Sequence, residues 1–91
     1  MERKGYPVFI KQAGNDFLVY VPDFDIYTEG KDFENALEMA RDAITLKRAS
    51  MKDHSEFIPK ASNQEEALRK AKDNADDIFD YSDGALSFVD I

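Results

Sequence analysis

The strongest constraint on this chain is a run of strand-type alternation from Tyr6 to Val21, interrupted by one glycine turn and closed by Pro22. Tyr6, Val8 and Ile10 share one face of an extended segment, with Phe9 and Lys11 on the other, because successive side chains of a strand point to opposite faces. Ala13-Gly14-Asn15-Asp16 supplies residues that tolerate positive φ, and Phe17 to Val21 is rich in β-branched and aromatic side chains. The run therefore reads as an antiparallel hairpin. Pro22 has no amide hydrogen to give a ladder and stops the second strand. Pro22-Asp23-Phe24-Asp25 makes a turn, and Ile26 to Glu29 is a short third strand ended by Gly30.

Beyond Gly30 the apolar period lengthens. Phe33, Ala36, Leu37, Ala40, Ala43 and Ile44 recur at spacings of three and four and form one stripe of a helix, with Asp32 placed to cap it. Such a stripe covers one face of a sheet. Acidic residues lead the helix and Lys47-Arg48 trail it, in the order its dipole favours. Ala49 to Ala61 reads as a polar connection. Ile58-Pro59 favours extended backbone, and Ser62 with Glu65 fits a capping box for a second helix carrying Ala67, Leu68, Ala71, Ala75 and Ile78. Asp83-Gly84 breaks that helix, and Ala85 to Ile91 reads as a fourth strand.

Ninety-one residues suffice for one domain, 1–91, with one modest core. A hydrophobic fraction of 43% is too high for a disordered chain. With no cysteine, neither a disulfide nor a thiolate metal site is available, and packing must hold the fold. No apolar run approaches the roughly 20 residues of a spanning helix, and no signal-peptide pattern opens the chain, so a cytoplasmic protein without membrane contact is expected. The net charge of −7, from 19 acidic and 12 basic side chains, repels phosphate backbones and suits a basic protein partner.

Catalytic constellations fail on inspection. The strand-strand-strand-helix-helix-strand order is similar to a trimmed RNase H-like fold, whose two-metal chemistry needs converging carboxylates, one of them on the first strand. Tyr6-Pro7-Val8-Phe9-Ile10-Lys11 has none, and Asp90 on the last strand lacks an evident partner. His54, the only histidine, sits in a polar stretch with Ser55 and Glu56, where adjacency does not make a triad. Asp73, Asp76, Asp77, Asp80 and Asp83 lack the spacing of a calcium loop. No cofactor, metal or catalytic residue is expected. Phe24 stands apart as an apolar group in a loop between two aspartates, and the sequence leaves open whether it is exposed to a partner or tucked under the sheet.

Tyr6-Pro7, Gly14, Val21-Pro22-Asp23-Phe24, Thr28-Glu29-Gly30, Glu34-Asn35-Ala36-Leu37-Glu38-Met39-Ala40 and Ile58-Pro59-Lys60-Ala61-Ser62 follow one another at spacings that resemble the HicB-type antitoxins. The resemblance covers nearly the whole chain. It implies an α+β fold of the partial RNase H-like kind: a three-stranded antiparallel meander plus a late fourth strand, with two helices packed on one face. It implies an antitoxin that binds HicA, a small basic toxin that cleaves messenger RNA, and whose catalytic histidine belongs to the toxin. Family members commonly self-associate, so a homo-oligomer is expected. They usually add a C-terminal segment that binds operator DNA; none lies within residues 1–91, so direct nucleic-acid binding by this chain is not expected. Asp23, Phe24, Asp25 and Tyr27 are the candidate toxin contacts. The rival reading is a stand-alone interaction or dimerisation domain with no toxin partner.

Overall fold

The computed structural model describes residues 5–74 and 84–90. They form β1 (Gly5–Ala13), β2 (Asp16–Val21), β3 (Ile26–Gly30), α1 (Phe33–Asp53), α2 (Gln64–Asn74) and β4 (Ala85–Asp90). Ala13 pairs with Asp16, leaving Gly14-Asn15 as a two-residue loop. Gly14 takes φ 64° and Asn15 stays at negative φ, as a hairpin with one left-handed central residue requires. β2 pairs antiparallel with β3, and β4 pairs antiparallel with β1 from Gly5↔Asp90 to Ile10↔Ala85. The sheet order is β3-β2-β1-β4. The α+β architecture of a meander plus a late strand is the expected one.

The placement of the second helix is not. Tyr6, Val8 and Ile10 of β1 join Val19, Val21, Phe24 and Val89 on one face, under Ala36, Ala40 and Ile44 of α1. Phe9 and Tyr20, which are Cα partners, face the other way and lie under Ala67 and Ala71 of α2, with Leu18 and Leu86 at the margin. The helices therefore cover opposite faces of the sheet, not one. The cause is the size of Phe9 and Tyr20, the largest side chains fully buried among the described residues. Burying one large side chain contributes about 1.5–3 kcal/mol, so a face carrying two of them does not stay open to water.

Asp32 caps α1 as expected, its carboxylate accepting from the Asn35 amide at 2.7 Å. The alanines at 36 and 40 bring the helix backbone close to the sheet. α1 runs to Asp53, five residues beyond Arg48, into what the sequence reads as a connection. Ala49 to Asp53 contains no breaker, and Met51 packs against the core. The helix ends in a Schellman arrangement. The Glu56 amide donates to the Met51 carbonyl at 2.8 Å, the Ser55 amide to the Lys52 carbonyl at 3.2 Å, and Ser55 adopts φ 56°.

The capping box of α2 is shifted by one residue. The Asn63 Oδ1 accepts from the Glu66 amide at 2.8 Å, and the Glu66 Oε1 accepts from the Asn63 amide at 3.2 Å. Ser62, expected in that role, is buried and bonded elsewhere. Ala75 and Ile78 of the expected second helix lie outside the described residues, as do Asp83 and Ile91.

Two substitutions test this account. A Cβ on Gly30 would lie 2.5 Å from the Ala36 amide nitrogen and 2.6 Å from its Cα, so β3 and the first turn of α1 must separate to admit it. Gly30→Ala is expected to destabilise by about 1–3 kcal/mol in denaturant melts, the usual cost of overpacking. Ser55→Gly removes the left-handed strain at the end of α1 and is expected to stabilise by about 0.5–1 kcal/mol in the same melts.

Candidate functional site

The four candidate contact residues lie on the β2–β3 turn and the start of β3, and the structure sends them in different directions. Pro22 ends the β2 ladder, and the Phe24 amide closes the turn onto the Val21 carbonyl at 3.3 Å. The Asp23 side chain is fully buried. Its Oδ2 accepts from the Ser62 amide at 2.8 Å, and its Oδ1 accepts from the Ser62 hydroxyl and from the Lys70 ammonium, the latter at 2.6 Å. A carboxylate out of water needs such charge-assisted donors. All three come from the segment that enters and forms α2.

Phe24 is 8% exposed, which settles the alternative left open by the sequence: it is tucked under the sheet, not displayed. Its ring sits 5.1 Å from that of Tyr6, tilted by 52°. Asp23 is likewise not a surface acid. The apolar ring joins the core on the α1 side, and the carboxylate turns toward the α2 segment.

Asp25 and Tyr27 point outward. Asp25 is exposed and holds φ 51°, a left-handed conformation that aspartate tolerates better than most residues. One carboxylate oxygen accepts from the Tyr20 hydroxyl at 3.1 Å. Tyr27 is 46% exposed, with its ring 4.8 Å from that of its cross-strand partner Tyr20. Glu29, two residues on along the β3 edge, shares the face of Tyr27 and is exposed. The result is an aromatic ring between two acids on a sheet edge, backed by a buried tyrosine. Burial, then the hydrogen bond and charge of Asp25, push the Tyr20 hydroxyl well above the ordinary phenol range.

Ser62 and Lys70 are the neighbours of Asp23 that sequence reasoning misses. They lie 39 and 47 residues from Asp23, and nothing local in the sequence marks that pairing. His54 caps α1, exposed, with Nδ1 2.8 Å from the Ser50 carbonyl oxygen. No cluster of three or more histidine, aspartate or glutamate side chains suited to a metal ion occurs among the described residues. Asp76, Asp77, Asp80 and Asp83 lie outside those residues, as does the Asp73 side chain. Among the described residues no helix is long and apolar enough to cross a membrane.

The Tyr20 environment sets a pH dependence. Unfolded, its phenol ionises near about pH 10. Folded, it keeps its proton to higher pH, so above that point the unfolded chain binds fewer protons and stability falls as pH rises. Urea melts at about pH 8 and about pH 11 are expected to show a smaller alkaline loss in Tyr20→Phe than in the wild type.

Comparison with known proteins bears on the whole chain. The family described as HicB_like antitoxin of bacterial toxin-antitoxin system matches residues 6–91. No curated protein and no solved structure matches the chain. The match runs from the first residues of β1 through both helices and β4. The chain belongs to the HicB-like antitoxin family of bacterial toxin–antitoxin systems.

Proposed function

We propose that this protein neutralises a small, basic, HicA-like toxin that cleaves messenger RNA, by covering the toxin's reactive surface and performing no chemistry of its own. The observation that carries the proposal is the family match over residues 6–91. The net charge of −7 supports it, because an acidic surface attracts a basic RNA-binding face and competes with the phosphate backbone for it. The cytoplasm, where messenger RNA is found, is the proposed site of action.

The proposed contact is the β2–β3 turn and the β3 edge. Tyr27 offers the large aromatic surface that often anchors interfaces, and Asp25 and Glu29 flank it with charge. Asp23 and Phe24 enter the proposal as framework. Their buried side chains fix the turn from within and so set where Asp25 and Tyr27 project. A pre-ordered turn binds without the entropy cost of ordering a loose one.

Co-expression with the product of a neighbouring short, basic reading frame is expected to restore growth. In titrations with that toxin, Tyr27→Ala and Asp25→Lys are each expected to raise Kd roughly tenfold or more. Added salt is expected to weaken wild-type binding, and to do so less for Asp25→Lys. Full affinity in both variants removes this turn from the interface. Absence of both rescue and binding overturns the toxin-neutralising reading itself and leaves the stand-alone interaction domain.

A further inference from the structure

The two outer strands of the sheet are guarded to different degrees. Among the described residues β3 and β4 each have a strand partner on one side only. An outer strand offers a row of backbone donors and acceptors to any other chain, so proteins guard such edges with charge, proline, a bulge or a covering element. β3 has charge and cover. It carries Glu29, Asp25 precedes it, and Lys31-Asp32 follows it. Its last residue, Gly30, lies against the backbone of Ala36 in α1.

β4 lacks such a guard until its last residue. Gly84-Ala85-Leu86-Ser87-Phe88-Val89 contains no charged side chain and no proline, in a chain that is 34% charged. Its pairing with β1 runs from Gly5↔Asp90 to Ile10↔Ala85 without a bulge, so the strand is regular along its length. The connection from α1 to α2 rounds the sheet elsewhere, at the end where the Tyr6 hydroxyl donates to the Pro59 carbonyl at 2.7 Å and Asp23 takes the Ser62 amide. Phe88 is 38% exposed, and Leu86, on the same face, is half-buried.

We propose that the outer edge of β4 pairs with β4 of a second copy of this chain, antiparallel about a two-fold axis, to make one sheet continuous across both copies. A two-fold axis normal to the sheet keeps each face with itself, so residues opposite one another carry numbers that are both odd or both even. The register centred on Ser87 sets Leu86 against Phe88 of the second copy and Ala85 against Val89, on either side of a Ser87 pair. Aromatic–aliphatic pairs of this kind are what stabilise a strand junction. Asp90 then lies opposite Gly84, and the two Asp90 carboxylates stand roughly 20 Å apart along the strands, beyond the screening length at physiological salt. A register centred on Phe88 would set Asp90 against Leu86 instead. Charge favours the same surface. Two copies at −7 each repel wherever their acidic faces meet, and β4 is an edge they can share without opposing like charges. The two β3 edges then lie at the far ends of the joined sheet, so Asp25, Tyr27 and Glu29 stay clear of the junction. The pairing does not rest on the toxin-neutralising reading and needs no partner bound.

Sedimentation equilibrium on the intact chain alone tests the pairing. The wild type is expected to reach twice the monomer mass at sub-millimolar concentration, and added salt is expected to strengthen the dimer by screening its like charges. Phe88→Lys sets a cation against Leu86 across the junction and is expected to raise the dimer dissociation constant roughly tenfold or more. The chain has no cysteine, so single cysteines report the register. Ser87→Cys is expected to give a disulfide-linked dimer under mild oxidation, because the two Cβ atoms lie about 5 Å apart. Thr45→Cys, on the exposed side of α1, is expected to remain unlinked under the same treatment. If Phe88→Lys fails to fold by circular dichroism, the Ser87→Cys cross-link decides. A wild type that sediments as a monomer throughout that range overturns the proposal. So does a dimer that Phe88→Lys leaves intact and Ser87→Cys does not link, since another surface then joins the copies.

Discussion

Gly5 to Ile10 of β1 is buried at each position, so this strand presents apolar side chains to both sides of the sheet and water has to be excluded from both. A central strand between β2 and β4 satisfies its backbone groups laterally, which leaves layer packing as the remaining demand. The α1 face meets that demand with valines, Tyr6 and Ile10 below Ala36, Ala40 and Ile44 of the helix. The opposite face meets it with two large aromatics under two alanines. A sheet covered on one side would leave Phe9 and Tyr20 in water. The three-layer arrangement is thus a consequence of β1 before it is a property of the helices.

The β2–β3 turn is where the layers meet. Phe24 reaches into the α1 side and packs at a tilt against Tyr6, while Asp23, its neighbour, binds Ser62 and Lys70 on the α2 segment. Consecutive residues are thereby committed to opposite layers, and the turn between them has little freedom left. Asp25 follows with a left-handed φ, and its carboxylate takes the hydroxyl of Tyr20, a residue of the α2-side core. Tyr20 then supports Tyr27 across the strand pair. The two outward residues are positioned by four inward ones: Asp23, Phe24, Tyr20 and Tyr6.

Much of the fold is legible in the sequence because it rests on local rules. Gly14 marks the hairpin, Pro22 the end of β2, Asp32 the start of α1, and the stripe from Ala36 to Ile44 its buried face. The second layer is less so. Its signal is present in Phe9, a large aromatic on the face that a one-sided sheet would give to water, and in the unbroken run Tyr6-Pro7-Val8-Phe9-Ile10. Alternation alone assigns Phe9 and Lys11 to a wet face; side-chain size separates them. The cap of α2 is ambiguous because Ser62-Glu65 and Asn63-Glu66 both fit a capping box, and only the tertiary demand of Asp23 for Ser62 chooses between them. At the site, the exposure of Phe24 has no local signature. A turn phenylalanine goes in or out according to the room beneath the sheet, which Tyr6 lines from 18 residues earlier in the chain.

The buried Asp23 is best understood as a device for selecting one docked position of α2. Replacing such a pair by apolar groups often leaves stability unchanged or higher, since desolvating the charges offsets most of their attraction. A misplaced helix is another matter. Alanines slide over aromatic faces with little change in contact, so Ala67 and Ala71 alone would tolerate several registers of α2 on Phe9 and Tyr20. Each wrong register leaves a carboxylate in the interior with its donors elsewhere, and that cost is large. Among the described residues, a seam of small side chains supplies closeness, and one buried charge disfavours misplaced registers. In a chain this rich in surface acids, an acid turned inward is what lets the outward ones be held in a defined place.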